Sequence, residues 1–425
     1  MTRARERHTS RSLARAGLAA YLLVTLSACS STLDSLEKNP QAVATTDSGV
    51  PKPLSPLTGP SSYNDAFRDL IGESDTDIAA KLAAAFAQLF HGDPSTQAIY
   101  FPVGTDQAYI QDLFHGDIRT EGIGIAMVVA VELDKRDEFD HLWNYAKAVL
   151  EQGPGPAQGY FMSVCDDTTP CLDPYGMEQF VTALLFASDR WDKAGTASYA
   201  SDASALLDAL QNKQQENGGV SAGITSVFDP ATQLVREQPA VAEAGYTRSA
   251  LEIPAMYDLW AQASGNAFWT GAAAAARAHL VAAADMTTGL WPMRSYFDAS
   301  PVVGFDTYGP QGYRTQLNLA LDTVLGGATA GEGTEADRLL GFFTAQGLAT
   351  YGKIFDLDGT VVDATHQPAL VAANGAMAIT ASRANRTDFV NAVWAMPIPS
   401  GDSRYYDGIL YLMSLLVLSG QYRVY

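Results

Sequence analysis

The residues best suited to chemistry stand in one turn, Arg119-Thr120-Glu121-Gly122, which follows Asp117-Ile118 and runs into the apolar stretch Ile123 to Val131. A helix without a polar face is an interior one, so Glu121 sits where a buried helix begins. The helix N-terminus favours a carboxylate there, while partial burial favours the protonated form. A carboxyl group in that balance is suited to act as a general acid near neutrality. The plainer reading, in which Glu121 only caps the helix, stands beside it.

Positioning such a group takes a scaffold, and the periodicity is helical nearly everywhere from Tyr63 onward. Asp77 to Phe90 carries Ile78, Leu82, Ala85, Phe86, Leu89 and Phe90 on one stripe. Asp137 to Glu151, Gly176 to Trp191, Ser201 to Lys213, Pro254 to Ala263 and Asn266 to Asp285 follow. Tyr313 to Leu325, Glu335 to Leu348, Pro368 to Ala381, Thr387 to Trp394 and Tyr405 to Leu418 complete about a dozen helices. Ile99 to Val103 reads as extended, and Lys353 to Asp356 with Gly359 to Asp363 as one hairpin.

Nearly all-apolar segments (122–133, 176–190, 313–325) alternate with one-sided ones (138–151, 201–213, 267–284). Such alternation implies an inner and an outer layer, and twelve helices in six pairs make an all-α (α/α)6 barrel. The ends of the inner helices then build a cleft, where Tyr160, Phe161, Tyr175, Trp291, Tyr296, Phe297, Tyr308, Tyr313, Tyr405 and Tyr406 are the aromatics available for stacking on sugar rings.

The N-terminal residues belong to targeting rather than to the fold. Arg3, Arg5, Arg7, Arg11 and Arg15 precede the apolar Ala16 to Leu26, too short to span a bilayer, and Leu26-Ser27-Ala28-Cys29 is a lipobox. The expectation is a signal peptide over 1–28, lipidation at Cys29, a Ser/Thr/Pro-rich tether over 29–62 and one domain over 63–425. Ser30 after the cysteine points to the outer membrane, with contact to the bilayer only through Cys29.

The formal charge of the whole chain is -20, and loss of the first 28 residues, which hold five arginines and one glutamate, makes the body more acidic still. Nucleic acid is a poor partner for such a surface. Cys165 and Cys171, close together in an exported chain, are expected to form a disulfide. Neither a metal site nor a phosphate-binding loop, a dinucleotide fingerprint or a Gly-x-Ser-x-Gly elbow is present, so no cofactor is expected, and the chain is expected to be a monomer.

Arg119 to Ile123, Val131 to Asp140 and Leu142-Trp143 resemble the signature of glycoside hydrolase family 8, and in particular its reducing-end xylose-releasing exo-oligoxylanase branch. The likeness continues through Gly159-Tyr160-Phe161, Ala183 to Trp191, Thr288-Gly289-Leu290, Tyr313-Arg314 with Asn318 and Asp322, His366, and Ser403 to Asp407. The resemblance implies an inverting mechanism on β-linked sugars. One carboxylic acid protonates the leaving oxygen, and a second carboxylate activates water on the opposite face. It places the acid at Glu121, and Arg119, Tyr175, Tyr313, Arg314, His366, Arg404 and Tyr405 are the side chains expected to grip the sugar.

The other half of the pair departs from the family pattern. The family base is the Asp of a Ser-Asp-Ser-Tyr-Arg segment, where this chain reads Pro310-Gln311-Gly312-Tyr313-Arg314. Gln311 cannot accept the proton of water. A Pro-Asp-Gly-Glu-Glu segment has become Pro174-Tyr175-Gly176-Met177-Glu178, and a Tyr-His-Leu-Pro segment has become Leu251-Glu252-Ile253-Pro254. Either the base has moved, to Asp306 or Glu252 with Asp173 a weaker third, or hydrolysis has lapsed and the chain is a glycan-binding envelope lipoprotein. An inert structural lipoprotein is a third reading. Survival of Glu121 and its turn favours the hydrolase.

Overall fold

The computed structural model describes residues 54–60, 62–165, 169–192 and 197–425, the side chains of 165, 169 and 170 excepted. The signal peptide, Cys29 and most of the expected tether lie outside these residues. The tether, expected to reach residue 62, ends earlier: Ser55 N donates to Ala263 O at 2.8 Å, Leu57 N donates to Asp189 Oδ2 at 2.7 Å, and Leu57 is buried.

Among the described residues thirteen α-helices occur: α1 (Ala66–Ile71), α2 (Asp75–His91), α3 (Thr120–Glu132), α4 (Arg136–Tyr145), α5 (Pro174–Trp191), α6 (Tyr199–Glu216) and α7 (Pro254–Ser264). After them come α8 (Ala267–Ala282), α9 (Arg314–Val324), α10 (Ala330–Gln346), α11 (Pro368–Met377), α12 (Arg386–Ala395) and α13 (Arg404–Leu418). Their starts follow local chemistry. Ser74 accepts from Asp77 N at 3.1 Å and Asn266 from Phe268 N at 3.0 Å, while Thr329 and Glu332 form a reciprocal capping box. Proline occupies the first turn of α5, α7 and α11, where its missing N–H costs nothing.

Helices α3, α5, α7, α9, α11 and α13 are buried over most of their circumference. Each packs on the next, and α13 returns to α3, which closes the ring. Outside it, α4 lies on α3, α6 on α5, α8 on α7, α12 on α11 and α2 on α13, and α10 packs beside α8. The twelve helices α2 to α13 are thus the expected (α/α)6 barrel. Closure lets a chain of this size bury its apolar segments in one continuous core.

The β-structure is confined to connections and is richer than one hairpin. Strands β1 (Tyr100–Val103), β2 (Gln107–Asp112) and β3 (Asp117–Ile118) form an antiparallel sheet, and β4 (Met162–Cys165) pairs with β5 (Thr169–Leu172). Strand β6 (Tyr246–Thr247) pairs with β7 (Ser295–Tyr296), and β8 (Thr307–Tyr308) extends the expected hairpin of β9 (Ile354–Asp356) and β10 (Val361–Asp363) to three strands. Pairs of two or three residues fall below the length that alternation can reveal in sequence.

Candidate active site

Glu121 occupies the second position of α3, and the approach to it is built from close backbone contacts. Thr120 N donates to Ser163 Oγ at 3.1 Å and Thr120 Oγ1 to Met162 O at 2.6 Å, tying the start of α3 to β4. Gly176 sets the start of α5 against this turn, since a Cβ there would stand 2.6 Å from Glu121 N. A Cβ on Gly122 would stand 2.6 Å from the Tyr405 ring and 2.7 Å from its hydroxyl. The glycines flanking the site are thus required by close approach.

Both carboxylate oxygens of Glu121 are engaged. Arg314 Nη1, in the first turn of α9, donates to Oε2, and Tyr405 Oη, in the first turn of α13, donates to Oε1 at 3.3 Å. The Arg314 guanidinium also lies 4.3 Å from the centre of the Tyr175 ring at the start of α5. The first turns of α9 and α13 therefore converge on the carboxylate carried by α3, with that of α5 packed against Arg314.

They open into a cavity of about 500 Å³, lined among others by Glu121, Asp173, Gln311, Arg314, Tyr405 and Tyr406. Its volume is in the range of small-molecule sites. Asp112, Arg119, Phe114 and His115 form one wall, and Glu237, Arg248 and Lys353 lie on others. Arg119 is held by Asp117 through Nε at 2.9 Å and Nη2 at 3.2 Å. The Arg248–Glu237 pair is closed, and Lys353 Nζ stands 3.1 Å from Asp363.

Of the three sites considered for a second carboxylate, only Asp173 reaches this cavity. It caps α5, with Oδ1 accepting from Tyr175 N at 3.1 Å. Burial, and next the charge of Glu121, push its pKa up to about 6, against the opposing pull of Arg314. Glu252 is a correction to the sequence reading. It is fully buried outside the cavity lining, with Oε1 accepting from Val235 N at 3.1 Å and Thr247 Oγ1 at 3.0 Å, and burial pushes its pKa up to about 8. Asp306 is corrected too, since it is exposed on the turn before β8 and does not line the cavity. Gln311 is part of the lining, and its Oε1 is buried without a hydrogen-bond partner.

The expected sugar-binding groups divide in the same way. Arg119, Arg314 and Tyr405 face the cavity. Tyr175 lies beneath Arg314, and Tyr313 is buried with its hydroxyl donating to Lys353 O. Arg404 donates to the carbonyls of Ala98, Gly401 and Pro94 at 2.7–2.9 Å, a backbone clamp rather than a cavity wall. His366 is exposed, with Nδ1 2.9 Å from Tyr351 O. Of the ten loop aromatics only Tyr405 and Tyr406 line the cavity; Tyr160, Phe161, Trp291, Tyr308 and Tyr313 are core.

Phe114 escaped the sequence reading. Its side chain is 68% exposed at the cavity wall, on a β2–β3 turn held by Asp112, whose Oδ1 accepts from Phe114 N at 3.1 Å. A large apolar residue in the tight turn Asp112 to Gly116, a few residues ahead of Glu121, was the available signal. Cys171 is disulfide-bonded, and the side chain of Cys165, its expected partner, lies outside the described residues.

The profile described as glycosyl hydrolases family 8 matches residues 110–420. The chain is 32% identical over 369 residues to the reducing-end xylose-releasing exo-oligoxylanase Rex8A of Paenibacillus barcinonensis, covering 83% of this chain and 94% of that one. It is 24% identical over 315 residues to endoglucanase C of Ruminiclostridium cellulolyticum, covering 72% and 64%. The solved Rex8A bound to xylose superimposes with a TM-score of 0.79 at 31% identity, over 86% of this chain and 98% of that one. A xylobiose complex from Teredinibacter turnerae also gives 0.79 at 31% identity, over 85% and 98%. With its barrel closed around a carboxylate at the mouth of α3, the chain belongs to glycoside hydrolase family 8 and is a glycoside hydrolase.

Proposed function

We propose that the protein hydrolyses β-linked oligosaccharides of the xylo- or gluco- type with inversion, using Glu121 as the general acid, from a position at the cell envelope set by lipidated Cys29. The observation that carries this reading is the convergence of Arg314 and Tyr405 on Glu121 inside an open cavity. A capping carboxylate needs neither a cavity nor two side-chain donors from distant helices. The names of the relatives supply the sugar class, and the cavity supports it, because each lysine and arginine in its lining is already paired with a carboxylate rather than held open for an anionic sugar.

The lapsed-enzyme reading rests on Gln311, which faces the cavity where the family resemblance expects a base. An incubation with xylo- and cello-oligosaccharides decides between the two. The hydrolase reading expects products from the wild type and none from Glu121→Gln. Binding without products from the wild type, with turnover gained only in Gln311→Asp, overturns it. Labelling with radioactive palmitate that is lost in Cys29→Ser tests the anchor.

A further inference from the structure

We propose that Asp173 is the general base of this hydrolase, and that Gln311 orients the attacking water which Asp173 deprotonates. The inference rests on the reading of Glu121 as the acid and goes beyond it. Family resemblance places the base at position 311, where this chain carries an amide that cannot take a proton.

Three observations of geometry carry it, and the electrostatics of the site bear on it. Asp173 is the carboxylate that shares the cavity with Glu121 and is not closed by an ion pair: Asp112 is held by His115 at 2.7 Å and Arg119 at 3.4 Å, and Glu237 by Arg248 and Arg294. It is positioned from the rigid first turn of an inner helix, through the Tyr175 amide on Oδ1, and among the described residues no side chain donates to Oδ2. Gln311 lines the same cavity and its Oε1 is buried without a partner; turned toward the cavity, that oxygen accepts one water proton while Asp173 takes the other. Burial is the largest influence opposing ionisation of Asp173, and the charges around it divide. Glu121 on α3 opposes its ionisation, while Arg314 on α9 and Arg248 favour it. Glu178, farther along α5, is buried and hydrogen-bonded to Tyr257 at 2.6 Å.

The step balances. The water oxygen bonds to the anomeric carbon as Asp173 accepts its proton. The glycosidic C–O bond breaks, and its electron pair leaves on the departing oxygen, which takes the proton of Glu121. The anomeric centre inverts, and the two carboxyl groups end with their proton exchanged, to be reset through solvent. The reacting form carries the proton on Glu121 and none on Asp173.

The test is Asp173→Asn, which keeps the acceptor for the Tyr175 amide and so the helix cap, measured beside the wild type and Glu121→Gln. On a xylo-oligosaccharide cleaved by the wild type, kcat falls by roughly 10²- to 10⁴-fold with KM little changed, the range for loss of a general base. Sodium azide, a nucleophile that needs no deprotonation, restores turnover in Asp173→Asn and yields a glycosyl azide of inverted configuration. It leaves Glu121→Gln unrescued on the same unactivated sugar. Gln311→Ala loses roughly tenfold in kcat, the worth of one orienting hydrogen bond.

Turnover by Asp173→Asn within about threefold of the wild type, with Glu121→Gln inactive, overturns the assignment of the base and leaves the hydrolase reading standing. A deep loss without azide rescue also overturns it, since that marks a positioning residue. A wild type silent on every sugar of the panel brings down both readings together.

Discussion

Arg314 donates to the carboxylate of Glu121 across 193 residues of chain, joining the first turn of α9 to that of α3. The Arg314 side chain is 5% exposed and that of Glu121 16%, so the pair is largely shielded from solvent. A buried pair of this kind costs more when one partner is removed than the intact contact contributes, because the survivor is left uncompensated.

Arg314→Gln is therefore expected to lower kcat/KM on the order of 10²-fold, the scale for a charged donor lost from an active site. Binding isotherms should change less than kcat, because the contact is to the acid and not to the sugar. Unchanged turnover would show that Glu121 is held by Tyr405 alone.

Gly122→Ala tests the approach of Tyr405. Alanine is the better helix former, so helix propensity predicts a gain in stability, whereas the 2.6 Å approach of the new Cβ to the Tyr405 ring predicts displacement. The expected result is a kcat lower by roughly tenfold, one hydrogen bond to Glu121 being lost, in a protein whose circular dichroism is unaltered. Steady-state kinetics and a far-UV spectrum together check it.

Phe114 offers an aromatic face at the cavity wall without supporting the core. Phe114→Ala should raise KM for longer oligosaccharides by about fivefold, the worth of one stacking contact, with kcat and the melting temperature near wild type. Equal KM values for short and long substrates would remove Phe114 from the sugar path.

Glu252 sets a pH dependence of stability, not of catalysis. Its pKa is raised by burial from an ordinary 4.5 to about 8. The folded protein thus holds a proton that the unfolded chain has released, so this contribution is fully present below pH 4.5 and is lost as pH rises through 8. Glu132, buried at the end of α3 and hydrogen-bonded by Arg423 N and Tyr425 Oη, is raised to about 8 as well and acts in the same direction. Denaturant unfolding should show stability falling on the order of a few kcal/mol between pH 5 and 8. Glu252→Gln should reduce that slope without abolishing it; a slope equal to wild type would show that Glu252 stays protonated, or stays charged, in both states.

The periodicity of the chain determined the helices and their sorting into two layers, because the width of an apolar stripe reports directly how much of a helix is covered. The same local logic placed Glu121 at the start of an interior helix, since a turn and the helix behind it are contiguous. Periodicity reports the face of a helix, however, and not where a connection runs above the barrel. Glu252 and Asp173 are both carboxylates just ahead of an inner helix that opens with proline, yet one turns into the core to hold Val235 and Thr247 while the other faces the cavity. Tyr313 and Tyr405 likewise stand at the starts of inner helices, and only Tyr405 reaches Glu121. Those choices belong to contacts between segments far apart in the chain, such as Arg314 with Glu121, which form only when α13 packs back on α3 and closes the ring.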